Sequence, residues 1–544
     1  MILMERVAIS GLLANGVQQQ YVMNRHLFHR KPYAHQWEGW QRIMKLPHNH
    51  QSTEHEPDLE EHIPDIIQHL QQLFTDTPDL IIRKLSIVQT GEKAVLAYLD
   101  GLTDKNSINN DVLYPLQFEK GGGDPGSELF MTVGHIVPYT TWAKVIEAIL
   151  NGDSVLFVDR RKEAYALDTK GWPQRAIEDP QLEPSLKGAH QGFLETGSQN
   201  IALIRRYIPN RELKIKQLAV GKRGPASVSI LYLEDVTNTE FIQLLEDRIK
   251  AINVDVIINT GELVEFIEDN PYSLFPQLIS TERPDAAASQ ILQGRCAVVV
   301  DRSPSVLIAP VNFMAFFQSI DDYSTRWSIA TFLRMLRIAA FFIAAFLPAL
   351  YIAVVSYHFE IIPMKLLITL GESRGRVPLP PFVEAVLMEI TLEILREAGV
   401  RLPAPVGQTV GIVGGIVIGQ AVVQAGLISN VMVVVVAFTG ISSFILPNYD
   451  MVAAVRLLRF ILMILASLFG FVGIIIGFML MIEQIIALRS LGMPYGIPLA
   501  PMRFADLKDT LVRVPLWLMN KRPISTSALQ SKRQGNSRFK GEEE

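Results

Sequence analysis

GESRGRVPLPPFVEAVLMEITLEILREAGVRLPAPVGQTVGIVGGIVIGQ, from Gly371 to Gln420, sets an acid-lined amphipathic helix directly before an apolar, glycine-bearing run. A second apolar run continues to Leu446. Ionisable and small residues inside such a block are costly in lipid and face a partner helix, a cavity or a conduction path. The block therefore predicts an integral membrane protein, and the functional question becomes what crosses or is sensed.

Working outward, a membrane span needs ~20 mostly apolar residues. The chain offers four such stretches, at about 339–356, 409–427, 431–446 and 460–488. Pro348 is an expected kink in the first. A fifth apolar helix, from Phe382 to Ala398, carries Glu384, Glu389, Glu393, Arg396 and Glu397, too many charges for a lipid-facing span. Arg326, Arg334 and Arg337 stand by the first span, and ten Lys/Arg follow the last. The positive-inside rule puts both flanks in the cytoplasm, which an even number of spans satisfies. The acidic helix is thus expected at the interface, re-entrant or facing a pore.

Glu389, Glu393 and Glu397 follow i, i+4, i+8 spacing and stack along one helix face. One reading is a membrane-surface helix with its acids in water. The other is that several copies assemble and the glutamates form rings, as in cation-selective pores. In the next span Gly411, Gly415 and Gly419 allow close backbone approach between helices. Gln420 and Gln424, one turn apart, need partners on a neighbouring helix or in a wet lumen. Gly470, Gly473 and Gly477 predict a further close contact.

Of 544 residues, those before about 325 read as soluble protein. The net charge of −5 gives no reason to expect nucleic acid, and a single cysteine, Cys296, excludes an intramolecular disulfide. Residues 1–70 are a His/Gln-rich extension whose histidine spacing matches no standard metal pattern. Beyond it the sequence turns α/β. DLIIRKLSI (from Asp79) resembles ELKIKQLAV (from Glu212), and AVLAYLDGLTD (from Ala94) resembles VSILYLEDVTN (from Val228). Each copy carries a glycine in its turn, Gly91 and Gly224. The repeat, a strand–strand–helix unit, predicts two related subdomains, at 71–200 and 201–325, with a hairpin near 154–166 between them and the strand from Cys296 to Asp301 closing the second.

The expected fold class is therefore an α/β soluble region of two related small subdomains followed by an α-helical polytopic membrane domain. That domain, at 326–488, holds about four spans plus the amphipathic acidic helix. A basic cytoplasmic tail is expected at 489–544. No catalytic constellation or cofactor motif emerges: GGGDPGSE at 121–128 lacks the Gly-Lys-Ser/Thr of a P-loop. An enzyme is not expected.

The quoted block, with FPQLISTERPD (from Phe275), SIDDYSTRW (from Ser319) and RLLRF (from Arg456), resembles the A subunit of GerA-type spore germinant receptors. The resemblance covers about residues 70–515, in the family's order, and the long N-terminal extension is similar to that of a GerK-type A subunit. It implies the inner spore membrane, with both termini on the spore-core side. The partners it implies are further copies of the chain in a homo-oligomer (a pentamer in the family view), a transporter-like nutrient-binding B subunit, a lipoprotein C subunit and membrane lipid. It also implies a nutrient-gated cation channel that triggers germination. A passive scaffold docking the other subunits, and the related membrane protein of the dipicolinate-release system, share these features. The candidate pore-lining residues are Glu389, Glu393, Glu397, Gln420 and Gln424. One stretch departs from the family: its first subdomain often ends in an Arg-Gly-Pro-Arg-Glu-Gly-Phe-like segment, where this chain has KGAHQGF, from Lys187 to Phe193.

Overall fold

The computed structural model describes residues 59–119, 129–171, 180, 183, 187–402 and 419–535. The histidine-rich start to residue 58, the glycine-rich 121–128, and the first part of the expected span at 409–427, with Gly411 and Gly415, lie outside the described residues.

The first sheet is built from β1 (Leu80–Ser86), β2 (Lys93–Leu99), β3 (Ile136–Tyr139), β4 (Ser154–Val158) and β5 (Ala164–Leu167). Its order is β1-β2-β4-β5-β3, with every pairing antiparallel. Successive β2 side chains point to opposite faces, and both faces are covered. Ala97 and Leu99 meet α1 (Ile63–Leu73) and α2 (Trp142–Leu150), whereas Leu96 and Tyr98 meet a helical stretch at 105–118. That is why KAVLAYL is apolar throughout rather than alternating.

The second sheet repeats the plan. It contains β6 (Leu213–Val220), β7 (Ala226–Leu233), β8 (Ile279–Thr281), β9 (Cys296–Val300) and β10 (Val306–Ala309), in the order β6-β7-β9-β10-β8. The duplication thus covers five strands, more than the strand–strand–helix unit read from sequence. The hairpin at 154–166 is β4–β5, central to the first sheet and equivalent to β9–β10, rather than a connector. Likewise β9 lies inside its sheet, and β8 forms the edge. In the second turn the left-handed glycine is Gly221, at φ 112°, whereas Gly224 pairs with Val256. The two halves are joined through α3 (Gly197–Tyr207), whose buried Arg205 holds both carboxylate oxygens of Asp79.

Helices follow. They are α7 (Trp327–Tyr357), α8 (Met364–Arg374), α9 (Pro381–Arg401), α10 (Gly419–Gln424), α11 (Asn430–Ile445), α12 (Tyr449–Phe469) and α13 (Phe471–Ala487). The second sheet is flanked by α4 (Thr239–Ala251), α5 (Thr260–Ile267) and α6 (Pro284–Ile291). α7 and α12 are long and apolar enough to cross a membrane, and α11 and α13 are shorter apolar helices. α7 leaves the second sheet and rises about 46 Å at 1.5 Å per residue. At its far end the Tyr357 hydroxyl donates to Ser467 O, so α12 rises alongside it. α13 then returns.

The apolar stretch 460–488 is two helices rather than one. Gly470 breaks it at φ 60°, ψ −134°, a backbone region open to glycine and closed to residues with a Cβ. The expected close contact is made within this hairpin. A Cβ on Gly473 would fall 2.0 Å from Leu465 O, and one on Gly477 would fall 2.4 Å from Leu462 Cδ2.

Residues 489–535, expected as a basic tail, fold back. Ser490 Oγ donates to Gln277 O, and the buried Tyr495 donates to Pro276 O, both at 2.7 Å. Further on, Leu529 N donates to Val236 O at 2.8 Å. The entry and exit of the helical bundle are therefore both fastened to the second sheet.

Candidate functional site

Two buried charge networks stand out. The first lies at the foot of α7. The SIDDYSTRW segment forms a short helix, Asp321–Ser324, just before α7, and aims Asp322 at arginines one turn apart on α7. Arg334 Nε donates to Asp322 at 2.8 Å, and Arg337 Nη1 donates to the same carboxylate at 2.8 Å. Arg334 also binds Asp509 of the returning tail, whose other oxygen accepts the Tyr323 hydroxyl at 2.7 Å. Arg334 and Arg513 lie over the Tyr323 ring on opposite sequence arms. Arg283, from the FPQLISTERPD segment, ties in through Asp321 at 3.2 Å and Asp285 at 2.8 Å. Close by, burial brings the Arg295 guanidinium down to about 10. Two of the segments that carried the family resemblance thus converge on the joint between sheet and bundle.

The second network lies inside the bundle and contains the predicted acids. α9 runs antiparallel to α12. Glu389 pairs with Arg459, and one turn on Glu393 pairs with Arg456 at 3.0 Å. Glu393 also accepts from Arg396 at 2.9 Å, while Arg396 reaches Ser443 Oγ on α11. Arg459 has a second task. Pro348 lacks an N–H, so the carbonyl four residues earlier, Ala344 O, loses its helical partner. Arg459 Nε donates to that carbonyl at 2.7 Å, satisfying a group that lipid could not. At the far end the buried Glu384 holds Arg374 at 3.0 Å and accepts the Ser429 N–H, closing the turn between α8 and α9.

The five pore candidates are therefore placed differently from one another. Successive glutamates drift around the helix, because eight residues advance about 80° beyond two full turns. Exposure of the side chain accordingly climbs from 0% at Glu389 to 26% at Glu393 and 65% at Glu397, which pairs with Arg401. Gln420 and Gln424 are exposed on α10. Gly419 has open space around it. The sequence reading missed Arg456 and Arg459 as partners. Their signal was present: acids at i, i+4 on one helix match bases at i, i+3 on another when the two run antiparallel. Among the described residues no group of three or more His, Cys, Asp or Glu side chains could hold a metal ion.

Comparison with known proteins adds the following. The family model described as Bacillus/Clostridium GerA spore germination protein matches residues 68–525. The chain is 40% identical over 463 residues to spore germination protein KA of Bacillus subtilis (strain 168), covering 84% of this chain and 85% of that one. It is 37% identical over 450 residues to spore germination protein GerLA of Bacillus cereus, covering 82% and 92%. An uncharacterized membrane protein of Bacillus subtilis (strain 168), YfkQ, is 36% identical over 449 residues, covering 82% and 87%. Among solved structures, the N-terminal domain of the A subunit of the Bacillus megaterium spore germinant receptor GerK3 aligns at 23% identity and a TM-score of 0.37. That alignment covers 47% of this chain and 98% of that domain.

Proposed function

Because the chain belongs to the Bacillus/Clostridium GerA spore germination protein family, we propose that it is the A-type membrane subunit of a nutrient germinant receptor in bacterial endospores. It sits in the inner spore membrane, with the two-sheet region and the returning tail on the core side. Its partners are further copies of itself, a nutrient-binding B subunit and a lipoprotein C subunit. Together the copies form a cation channel whose opening commits the spore to germinate.

The observation that carries this reading is the family match across residues 68–525, joined to a bundle that buries ionised side chains between apolar helices. In this reading α9 crosses the membrane, and the hairpin at Gly470 supplies one more crossing. Two crossings are thereby added to those read from sequence, so the count stays even and both arginine-rich flanks remain on one side. Glu397, with Gln420 and Gln424, is available to a lumen between copies, and Glu389 and Glu393 join them once released.

The test is direct. Spores lacking this chain should lose cation release in response to a nutrient, and the wild-type gene should restore it. The purified chain in a planar bilayer should pass a cation-selective current that the Glu389→Gln, Glu393→Gln, Glu397→Gln triple form weakens. Unchanged selectivity in that form would remove α9 from the ion path. One observation favours a second reading, a scaffold that docks the other subunits: Glu389 and Glu393 are already neutralised by arginines of their own chain. A silent bilayer with verified oligomers and the partner subunits present would favour that scaffold.

A further inference from the structure

α9 is attached to the bundle in an unusual way. Of its described apolar side chains only Ala385 is fully buried; Phe382, Val386, Met388 and Leu392 are half-buried against the core, and Val383, Leu387, Ile390 and Ile394 are exposed. Its other fully buried side chains are Glu384 and Glu389. Apolar packing, the ordinary fastening of a helix, is therefore only partial here. Ion pairs supplement it at three levels: Glu384 with Arg374, Glu389 with Arg459, and Glu393 with Arg456.

The lower two levels are incompletely satisfied. Glu389 Oε1, Arg459 Nη2, Arg456 Nε and Arg396 Nε are buried and have no hydrogen-bond partner among the described residues. Three arginines there face two glutamates, so the cluster carries an excess positive charge. A partly satisfied buried network is less firmly held than a complete one, and its members gain more from any alternative that supplies water or counter-charge. The upper level differs, because Arg374 also binds the Leu379 carbonyl and the Tyr351 hydroxyl. That end is a pivot; the lower end is a latch.

We propose that Glu389–Arg459 and Glu393–Arg456 form a charge lock that holds α9 against α12 in the resting state, and that channel opening swings α9 about its Glu384 end to free both glutamates. The proposal rests on the channel reading above and supplies its regulation. It accounts for acids that are suited to a cation path yet are paired inside one chain. It also assigns Arg456 and Arg459 the role of withholding those acids rather than of lining the path. Releasing Arg459 frees Ala344 O as well, which loosens α7 at its proline and links the lock to the helix that rises from the soluble sheets.

The experiment uses the full-length chain with its receptor partners in proteoliposomes. Nutrient-free potassium efflux is compared for the wild type, Arg459→Gln, and the conservative Arg459→Lys, which keeps a cation for Glu389 and a donor for Ala344 O. Arg459→Gln should raise nutrient-free efflux at least tenfold, and Arg459→Lys should hold it near the wild-type level. In parallel, spin labels at positions 390 and 461, both exposed, report the α9–α12 separation in a Cys296→Ser background. The separation should widen and broaden in Arg459→Gln and stay close to the wild type in Arg459→Lys. Efflux at the wild-type level with an unchanged separation in a correctly assembled Arg459→Gln protein would overturn the lock. If no sample conducts even with nutrient, the channel reading fails, and the label distances still decide whether the pairs hold α9.

Discussion

Asp322→Asn should damage the joint between sheet and bundle more than Arg334→Met. Asp322 is 1% exposed and is the carboxylate shared by Arg334 and Arg337. Neutralising it leaves two buried guanidinium groups competing for Asp509 and backbone oxygens, the costly way to break a buried pair, at roughly 3–5 kcal/mol. Removing Arg334 instead leaves Asp322 with Arg337 and leaves Asp509 with the Tyr323 hydroxyl, so about 2 kcal/mol is expected. Local opening of the tail follows the same energies. At about 1.4 kcal/mol per factor of ten, the open population should rise roughly 700-fold for a 4 kcal/mol loss and about 30-fold for a 2 kcal/mol loss. Arg513, 4% exposed, is a convenient reporter, because trypsin reaches it only when the tail lifts. Cleavage after Arg513, timed by mass spectrometry on the purified full chain, gives the ratio directly. Equal rates, or faster cleavage in Arg334→Met, would refute the argument that the shared carboxylate organises the foot.

Three further outcomes are expected. Gly473→Ala should cost several times more than Gly477→Ala in thermal stability, of order 3 against 1 kcal/mol, because the first meets a backbone carbonyl and the second a movable leucine methyl. Cys296, fully buried with its thiol pushed up to about 12, should resist iodoacetamide until the second sheet unfolds, which makes alkylation a specific clock for that event. Burial raises the Glu183 carboxyl to about 7, and Thr281 Oγ1 donates to it at 2.6 Å. Its folded form holds a proton that the unfolded form has lost above its ordinary value. The stability it contributes is therefore full below about pH 4.5 and is lost as pH rises through about 7. Glu183→Gln should flatten the stability profile across that window, as followed by thermal melts at stepped pH.

How much of this was legible beforehand differs by level. The strands at 80–86 and 213–220 could be read because β-periodic stretches recur with a glycine turn between them. The placement of β4–β5 could not, because an apolar hairpin has the same pattern at the centre of a sheet as beside it. The single long span at 460–488 was misread for a related reason. Hydropathy registers apolar length and is blind to the backbone angles of Gly470. The acids of α9 were found from their spacing, yet their partners lie some 63–70 residues away on α12, and only the antiparallel approach of the helices makes them neighbours. In the tail, counting positive charges obscured Asp509, which binds it to Arg334 and Tyr323, and Asp506, which accepts from Ile524 N and Ser525 N to fold it on itself.

That binding has a consequence for how the chain is made. Arg334 and Asp509 are 175 residues apart in sequence. The foot of α7 emerges from the ribosome early, and its counter-charge emerges only after every helix of the bundle has been synthesised. Until then Arg334 has Asp322 but lacks its second acid. Completion of the joint therefore waits until the last helix of the bundle has been made, and the buried Arg334 is only partly paired throughout its synthesis.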